Sequence, residues 1–395
     1  MAPCNQLSLL VFLILLCPVS SETINPTVQD LISRNSDFAA RLYRAVASQT
    51  DGNVFLSPFT VCTGLMALLS ATNGQTRDQL QQGLTLTGLD PQNIPDLFRT
   101  LKTVVLRGES STNLHQSVMV LPSRSFEVSS SYSDLVQTKF GGNIHSLTYT
   151  DSQDAIDTIN RLVQEQTKDQ VQELVNNLDP QTQLLLVTAA SYQTQFSPSF
   201  NSSLSQDDRF YVDRYHVVMV PMMFRAGKYF LAYDRSLKVG VLKLTMADGM
   251  AMLVVLPDEG VDITAVEDEV TSETIRAWII QLKKTKLEVQ LPRFLLECQY
   301  SLKNLLQMLG VTHVFQDNAD ITDMGGANKP TLTQVFHKSI VSVNERGDDI
   351  ITGATPTFSA LPPRLIINRP FIFVIYQQTS GSLLFLGRVV DPTKK

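Results

Sequence analysis

The N-terminal half of the chain carries apolar residues at helical spacing. Over residues 27–48 they recur every three or four positions, which is typical of an amphipathic helix. Residues 57–71 begin with a Ser-Pro pair, a common helix start, and are apolar on all sides, which predicts a buried helix. Two further helices are expected between residues 76 and 107, and another over residues 151–167.

From residue 184 onward, short apolar runs separated by turns predict strands. They lie at 217–220, 229–231, 239–242, 250–256, 287–291, 331–343 and 365–376, with one helix predicted at 267–284. Because helices are followed by mainly antiparallel strands, we expect an α+β fold. No repeat or linker divides the chain, so residues 22–395 are expected to form a single domain.

Residues 1–21 resemble a secretory signal peptide. An apolar run at 7–17 is followed by Pro18 and small residues. No second apolar stretch of ~18 residues, the length of a membrane span, follows it. We therefore expect an exported chain without a membrane span, and Asn201-Ser202-Ser203 is a sequon for N-glycosylation in such a chain.

Charge and cysteine usage narrow the class of protein. The net charge of -6 argues against nucleic-acid binding. Only Cys62 and Cys298 lie beyond the signal peptide, far apart in the sequence, and we expect both to be free thiols. The five histidines show no metal-ligand spacing, and the common enzyme motifs and cofactor fingerprints are absent. A hydrolase built from distant Ser, His and Asp residues stays open as an alternative.

The segment 341–363 is longer than most connections within a domain. Segments of this length are usually binding loops, lids or linkers, and composition alone does not choose between bait for a protease and a solvated linker. His337 lies in the apolar run that leads to this segment, and its simplest interpretation is a hydrogen-bonded core histidine.

Several motifs resemble those of the serpin family across nearly the whole chain. They are Asn53-Val54-Phe55-Leu56-Ser57-Pro58, Val220-Pro221-Met222-Met223, Leu256-Pro257-Asp258-Glu259-Gly260, Val343-Asn344-Glu345-Arg346-Gly347, Asn368-Arg369-Pro370-Phe371 and Gly387-Arg388-Val389-Val390-Asp391-Pro392. The resemblance implies the serpin fold, with helices packed on a large central sheet, smaller sheets and an exposed reactive-centre loop at about 345–363.

The resemblance also implies a mechanism. A serine protease would cleave the loop, the cut loop would insert as a new strand into the main sheet, and the trapped protease would be distorted before it is released. Such an inhibitor is a suicide substrate, and we expect it to catalyse no turnover of its own. The C-terminal motifs are most similar to secreted plasma serpins that regulate coagulation. Factors Xa and XIa are therefore candidate targets, a protein Z-like cofactor and heparin are candidate partners, and a monomer is expected.

Site residues follow from the resemblance position by position. The hinge of the loop corresponds to Glu345, Gly347, Asp348, Ile350, Thr352, Gly353 and Ala354. The shutter beneath the sheet corresponds to Ser57, Thr60, Thr188 and His337. Candidate heparin ligands on one predicted helix are Arg99, Lys102 and Arg107, although exposed basic residues on a helix are more often a solvated face.

The loop departs from the family pattern. Asp348 would turn inward on insertion, where a carboxylate without a partner is unfavourable, and the interval from Glu345 to Pro362 is short. We expect the reactive bond at Phe358–Ser359, while spacing also permits Ser359–Ala360 or Leu361–Pro362. These departures keep a non-inhibitory serpin, a binding or carrier module, open as an alternative. Thr188 and Phe196 also replace residues that are usual in the family.

Overall fold

The protein is described by a computed structural model over residues 26–106, 113–325, 329–347 and 362–395. The helices in these ranges are α1 (Pro26–Ala47), α2 (Pro58–Leu69), α3 (Gly74–Gly83), α4 (Ile94–Val105), α5 (Ser130–Leu135), α6 (Ser152–Gln166), α7 (Ile263–Asp268), α8 (Ser272–Gln281) and α9 (Lys303–Met308). A π-helical turn, Val136–Phe140, follows α5, and a 3-10 turn covers Ser202–Leu204. None of the helices in the described ranges is long and apolar enough to cross a membrane.

Fourteen strands are found in the same ranges. They are β1 (Val54–Leu56), β2 (Leu114–Pro122), β3 (Asn143–Ile144), β4 (Leu184–Gln193), β5 (Gln206–Tyr211), β6 (Val217–Asp234), β7 (Val239–Thr245), β8 (Met250–Pro257), β9 (Lys283–Pro292), β10 (Phe294–Ser301), β11 (Leu332–Val343), β12 (Arg364–Ile366), β13 (Phe371–Gln377) and β14 (Leu383–Val389). The predicted α+β class is confirmed.

The strands form two sheets. One has nine strands in the order β1-β14-β13-β8-β7-β6-β9-β12, with β5 paired to β6. The other has five strands in the order β10-β11-β4-β2-β3. Pairing is antiparallel except at β11–β4, β2–β3 and β12–β9.

The five-stranded sheet lies between two cores. Along β4, Leu186 and Ala190 belong to the large core that includes α2, whereas Val187 and Ala189 belong to a smaller core with α6. This alternation follows from the two-residue period of a strand. Every residue of α2 is buried, as its apolar sequence predicted. A β-carbon added at Gly64 would lie 2.9 Å from Leu186 Cδ1, so glycine lets α2 approach the sheet closely.

Three predictions of local structure were wrong. The single strand expected at 365–376 is two strands, β12, which pairs with β9, and β13, which pairs with β8 and β14. The single helix expected at 267–284 is two helices, because the Thr271 side chain accepts a hydrogen bond from the Thr274 amide and starts α8 anew. Lys283 then begins β9, which pairs with β6. The two strands expected at 217–220 and 229–231 are parts of β6, which pairs with β5 in its first part and with β9 from Met222 onward.

Candidate functional site

In the five-stranded sheet, β4 and β11 form a long parallel pair that could admit another strand between them. The register sets His337 beside Thr188 and Ser342 beside Gln193. A strand that entered here in the opposite direction would pair antiparallel with both neighbours, and antiparallel pairing is slightly the more stable per residue. We call this contact the seam, and residues 194–205 and 344–347, which follow its two strands, its open end.

A histidine lies beneath the middle of the seam. The Ser57 amide donates to His337 Nε2 at 3.0 Å, so Nε2 must accept and Nδ1 must carry the proton. Nδ1 therefore donates to Thr188 Oγ1, 2.9 Å away, and the Thr188 hydroxyl donates to the Phe336 carbonyl at 3.2 Å. Burial lowers the pKa of His337 to about 3, which keeps the ring neutral.

A second chain of hydrogen bonds joins this histidine site to α2. Ser57 Oγ donates to the Leu384 carbonyl at 3.1 Å, so the Thr60 hydroxyl, 2.8 Å from Ser57 Oγ, must donate to it. Thr60 in turn accepts from Gln116 Nε2 at 2.8 Å. The four shutter residues inferred from the resemblance therefore lie together, and each of their side-chain hydrogen bonds has one allowed direction.

Two members of this cluster were missed by sequence reasoning. Ser339 Oγ donates to the Phe55 carbonyl at 2.6 Å. Its position two residues after His337, on the same face of a strand, was a usable signal. No sequence signal pointed to Gln116, because it reaches Thr60 only through the register between β2 and β4.

The open end of the seam is held by an ion pair. Arg293 donates to the two carboxylate oxygens of Glu345 at 3.0 and 2.5 Å, and Ser205 Oγ donates to the same carboxylate at 2.6 Å. The Glu345 side chain is 10% exposed, whereas that of Arg293 is 46% exposed. Burial acts to raise the pKa of Glu345, but the hydrogen bonds from Arg293 and Ser205 outweigh it, and the pKa lies below its usual value.

Gly347 sits at the closest backbone contact of the open end. The Phe196 amide donates to the Arg346 carbonyl at 3.1 Å, and Phe196 and Gly347 form a parallel bridge. A β-carbon at position 347 would lie 2.1 Å from the Phe196 carbonyl oxygen and 2.5 Å from Ser199 Cβ. Only glycine fits without displacing the backbone.

A cleft of about 810 Å³ opens beside these contacts. Its walls come from both strand extensions and from the segment that links β4 to β5, and they include Asn113, Ser199, Phe200, Ser202, Glu345 and Gly347. Beyond Gly347, the expected hinge and reactive-bond residues lie outside the described ranges. These are Asp348, Ile350, Thr352, Gly353, Ala354, Phe358 and Ser359.

The basic residues on α4 are not arranged as the sequence led us to expect. Arg99 is exposed, but Lys102 Nζ donates to the Phe140 carbonyl at 2.7 Å, and burial lowers the pKa of Lys102. Arg107 lies outside the described ranges. The expectation that Arg99 and Lys102 present one binding face is corrected, because Lys102 caps the carbonyl end of the π-helical turn.

The sequon lies on the cleft side of the seam. Asn201 is exposed, and its Oδ1 accepts from the Ser203 amide at 3.0 Å and from the Ser203 hydroxyl at 2.8 Å. Two residues before and one residue after Asn201, Ser199 and Ser202 line the cleft. The sequon and the hinge, 144 positions apart in sequence (345 − 201), are thus neighbours in the fold.

Comparison with known proteins agrees with this geometry. The family model "Serpin (serine protease inhibitor)" matches residues 33–392. The protein Z-dependent protease inhibitor of Mus musculus is 31% identical over 371 residues, which cover 92% of this chain and 83% of that protein. The crystal structure of the mouse inhibitor superposes with a TM-score of 0.86 over 93% of this chain and 98% of that one, at 31% identity.

A second solved structure shows that the same fold serves a different purpose. Human thyroxine-binding globulin in complex with thyroxine superposes with a TM-score of 0.85 at 27% identity, over 93% of this chain and 99% of that one.

One expectation about chemistry needs correction. We expected the chain to catalyse no turnover of its own and therefore to be no enzyme. The family match and the relatives describe protease inhibitors, a class named for its reaction with an enzyme, so a plain division into enzymes and non-enzymes does not describe the chain. With a family match over residues 33–392, the chain belongs to the serpin family of serine protease inhibitors.

Proposed function

We propose that this chain is a secreted inhibitory serpin that reacts with its target as a suicide substrate. The observation that carries the proposal is the seam. It is a parallel pair with a hydrogen-bonded shutter beneath its middle, and the chain leaves β11 at its open end. A strand inserted between β4 and β11 would gain a ladder on each side and bury alternate side chains, which lowers the free energy.

The finer features of the proposal rest on the sequence and on the relatives. We propose residues 1–21 as a signal peptide, residues 22–395 as one monomeric domain, and Asn201 as a glycosylation site. Phe358–Ser359 is the proposed reactive bond, with the hinge residues 345–354 as the part that inserts first.

The relatives guide the choice of target. Several of them are protein Z-dependent protease inhibitors. We therefore propose a coagulation protease, factor Xa or XIa, as the target and a protein Z-like protein as a cofactor. We leave heparin binding at α4 out of the proposal, because Lys102 is engaged by Phe140.

The direct test is adduct formation. The secreted protein is incubated with factor Xa or factor XIa, with and without protein Z, and the products are separated by denaturing electrophoresis. We expect a covalent complex, together with a released peptide whose mass corresponds to residues 359–395. Cleaved serpin without any covalent complex, at every protease tested, would contradict inhibition, and a peptide of residues 362–395 would move the reactive bond to Leu361–Pro362.

A second candidate function is a ligand carrier. It is favoured by Asp348 at the hinge and by the likeness to thyroxine-binding globulin, a structure solved with its ligand. Thermal melting before and after cleavage within 348–361 separates the two functions. A large rise of the melting temperature on cleavage shows that the loop inserts and counts against a pure carrier, whereas an unchanged melting temperature favours it.

A further inference from the structure

The segment that joins β4 to β5 closes over the open end of the seam. It runs from Phe196 to Ser205, and we call it the bridge segment. Its first residue donates to the Arg346 carbonyl and its last to the Glu345 carboxylate, at 3.1 and 2.6 Å. Both ends of the bridge segment are therefore tied to the chain that leaves β11.

The middle of the bridge segment is held from below. Phe200 packs edge-to-face on Phe196, with ring centroids 5.2 Å apart, and the Arg225 guanidinium lies 5.3 Å from the Phe200 ring centroid. These contacts fix the backbone up to residue 200, and the hydrogen bond from Ser205 to Glu345 fixes it four residues after Asn201. Asn201 itself is exposed, so its side chain faces solvent. Its position relative to the cleft is set by the residues on either side of it.

The Asn201 side chain is arranged as an acceptor for a glycan. Its Oδ1 takes two hydrogen bonds from Ser203, and within the described ranges its Nδ2 makes no hydrogen bond. In the transfer, the anomeric carbon of an oligosaccharide bonds to Nδ2 and its bond to the diphosphate oxygen of a lipid-linked donor breaks. Nδ2 gives up one proton, and the lipid diphosphate leaves with the electron pair. The sequon supplies the hydroxyl two residues on that this reaction requires.

A glycan at this position would stand at the mouth of the cleft beside the seam. When β4 and β11 separate at this end, each exposes an unpaired strand edge, and such an edge is a template for a strand from another molecule. Such a strand must approach the seam from solvent, across the cleft that Ser199, Ser202 and Gly347 line. The chain's own loop is covalently continuous with Gly347, which lines the cleft. A glycan on the bridge segment thus obstructs the first route and not the second.

We propose that an N-linked glycan on Asn201 shields the open end of the seam from strands of other copies of this chain, and leaves the chain's own loop free to insert. The inference rests on the proposed export and on the proposed insertion of the loop. It assigns Asn201 a protective role against self-association during secretion.

The test compares glycosylated and unglycosylated protein secreted from a eukaryotic host. Asn201→Gln and Ser203→Ala remove the glycan by different changes, and Ser203→Thr keeps it. Intact mass reports occupancy, and size-exclusion chromatography reports the loss of monomer during mild heating. We expect both glycan-free variants to lose monomer about fivefold faster than the parent, which corresponds to about 1 kcal/mol of activation free energy, and Ser203→Thr to match the parent.

A relocated glycan controls for general solubility. Ser48→Asn completes a sequon with Gln49 and Thr50 just after α1, where all three positions are exposed. In the Asn201→Gln background this variant carries one glycan away from the seam, and we expect it to lose monomer as fast as Asn201→Gln alone. Equal protection by the relocated glycan, equal rates with and without the Asn201 glycan, or an unmodified Asn201 in the secreted parent would each overturn the proposal.

A second readout distinguishes a failure of this proposal from a failure of the proposed function. After cleavage within 348–361, the rise in melting temperature measures insertion of the chain's own loop. The same rise in the parent and in Asn201→Gln supports the proposal, and a rise only without the glycan overturns it. If neither protein shows a rise, the proposed insertion fails, while the rates of monomer loss still decide whether the glycan shields the seam.

Discussion

The middle and the end of β11 are held in opposite ways. In the middle, His337 is buried and neutral, and its two hydrogen bonds each have one allowed direction. At the end, Glu345 is charged, its partner Arg293 is nearly half exposed, and Gly347 touches the neighbouring backbone. The middle can open only if several buried polar groups lose partners together, whereas the end is held by one partly exposed ion pair, the Ser205 hydroxyl and a short backbone bridge. We infer that the end starts insertion and the middle sets its barrier.

The largest effect is expected when the imidazole ring of His337 is removed from the middle of β11. In His337→Ala the Ser57 amide and the Thr188 hydroxyl lose their partner, and a cavity forms beneath the seam. We expect a loss of about 3–5 kcal/mol of stability, as for other large buried side chains with unpaired neighbours. Denaturant unfolding measures it, with the exposed His216→Ala as the control. Equal unfolding midpoints for the two variants would show that His337 stabilises the middle of β11 no more than an exposed histidine does.

A change of pH probes the same histidine without mutation. Because the folded-state pKa is about 3 and the ordinary value is 6.5, the unfolded chain binds a proton below about pH 6.5 that the folded chain refuses. Stability should therefore fall as the pH drops from 6.5 toward 3, by up to about 1.4 kcal/mol per unit from this group.

Unfolding of the parent and of His337→Gln, followed between pH 7 and 4, isolates this contribution. The variant lacks the titrating ring, so its stability should depend less steeply on pH over that window. Parallel pH profiles would show that the ring accepts a proton in the folded state.

The glycine at the end should give an intermediate effect. In Gly347→Ala the methyl group would lie 2.1 Å from the Phe196 carbonyl oxygen, so the bridge must separate. We expect about 1–3 kcal/mol of destabilisation, typical of overpacking, and faster hydrogen exchange at the Phe196 amide. Gly240→Ala is the matched control, since its nearest neighbour would be 4.0 Å away. If both variants exchange alike, the close approach at position 347 does not hold the end.

The smallest effect is expected from the ion pair. Glu345→Gln keeps the shape but weakens the bonds from Arg293 and Ser205, and we expect a loss of about 1 kcal/mol, because one partner is well exposed. Glu165→Gln breaks an exposed pair with Arg161 on α6 and should change stability by less. Cleavage-induced insertion should become faster in Glu345→Gln alone. An unchanged insertion rate would contradict a gating role for the end.

Sequence patterns were informative about local structure, that is, about individual helices and strands. The apolar run after Ser57 predicted the buried α2, and the β-branched run before the long loop predicted β11. The position of His337 within that run, together with the family motifs, also pointed to its neighbours Ser57 and Thr60. Periodicity and capping depend on residues a few positions apart, so they are visible in the sequence.

Contacts between distant segments were decided by the tertiary structure. The register between β2 and β4 brings Gln116 to Thr60, and the approach of the π-helical turn withdraws Lys102 from solvent. Likewise, the pairing of Glu345 with Arg293 and the nearness of Asn201 to the hinge depend on how strands far apart in the chain align. By itself, the sequence determined the family, the fold class and the strands on either side of the loop. Only the fold decided that Gln116 joins the shutter and that Arg293 holds the open end, because a shift of register by one residue would turn such side chains to the other face.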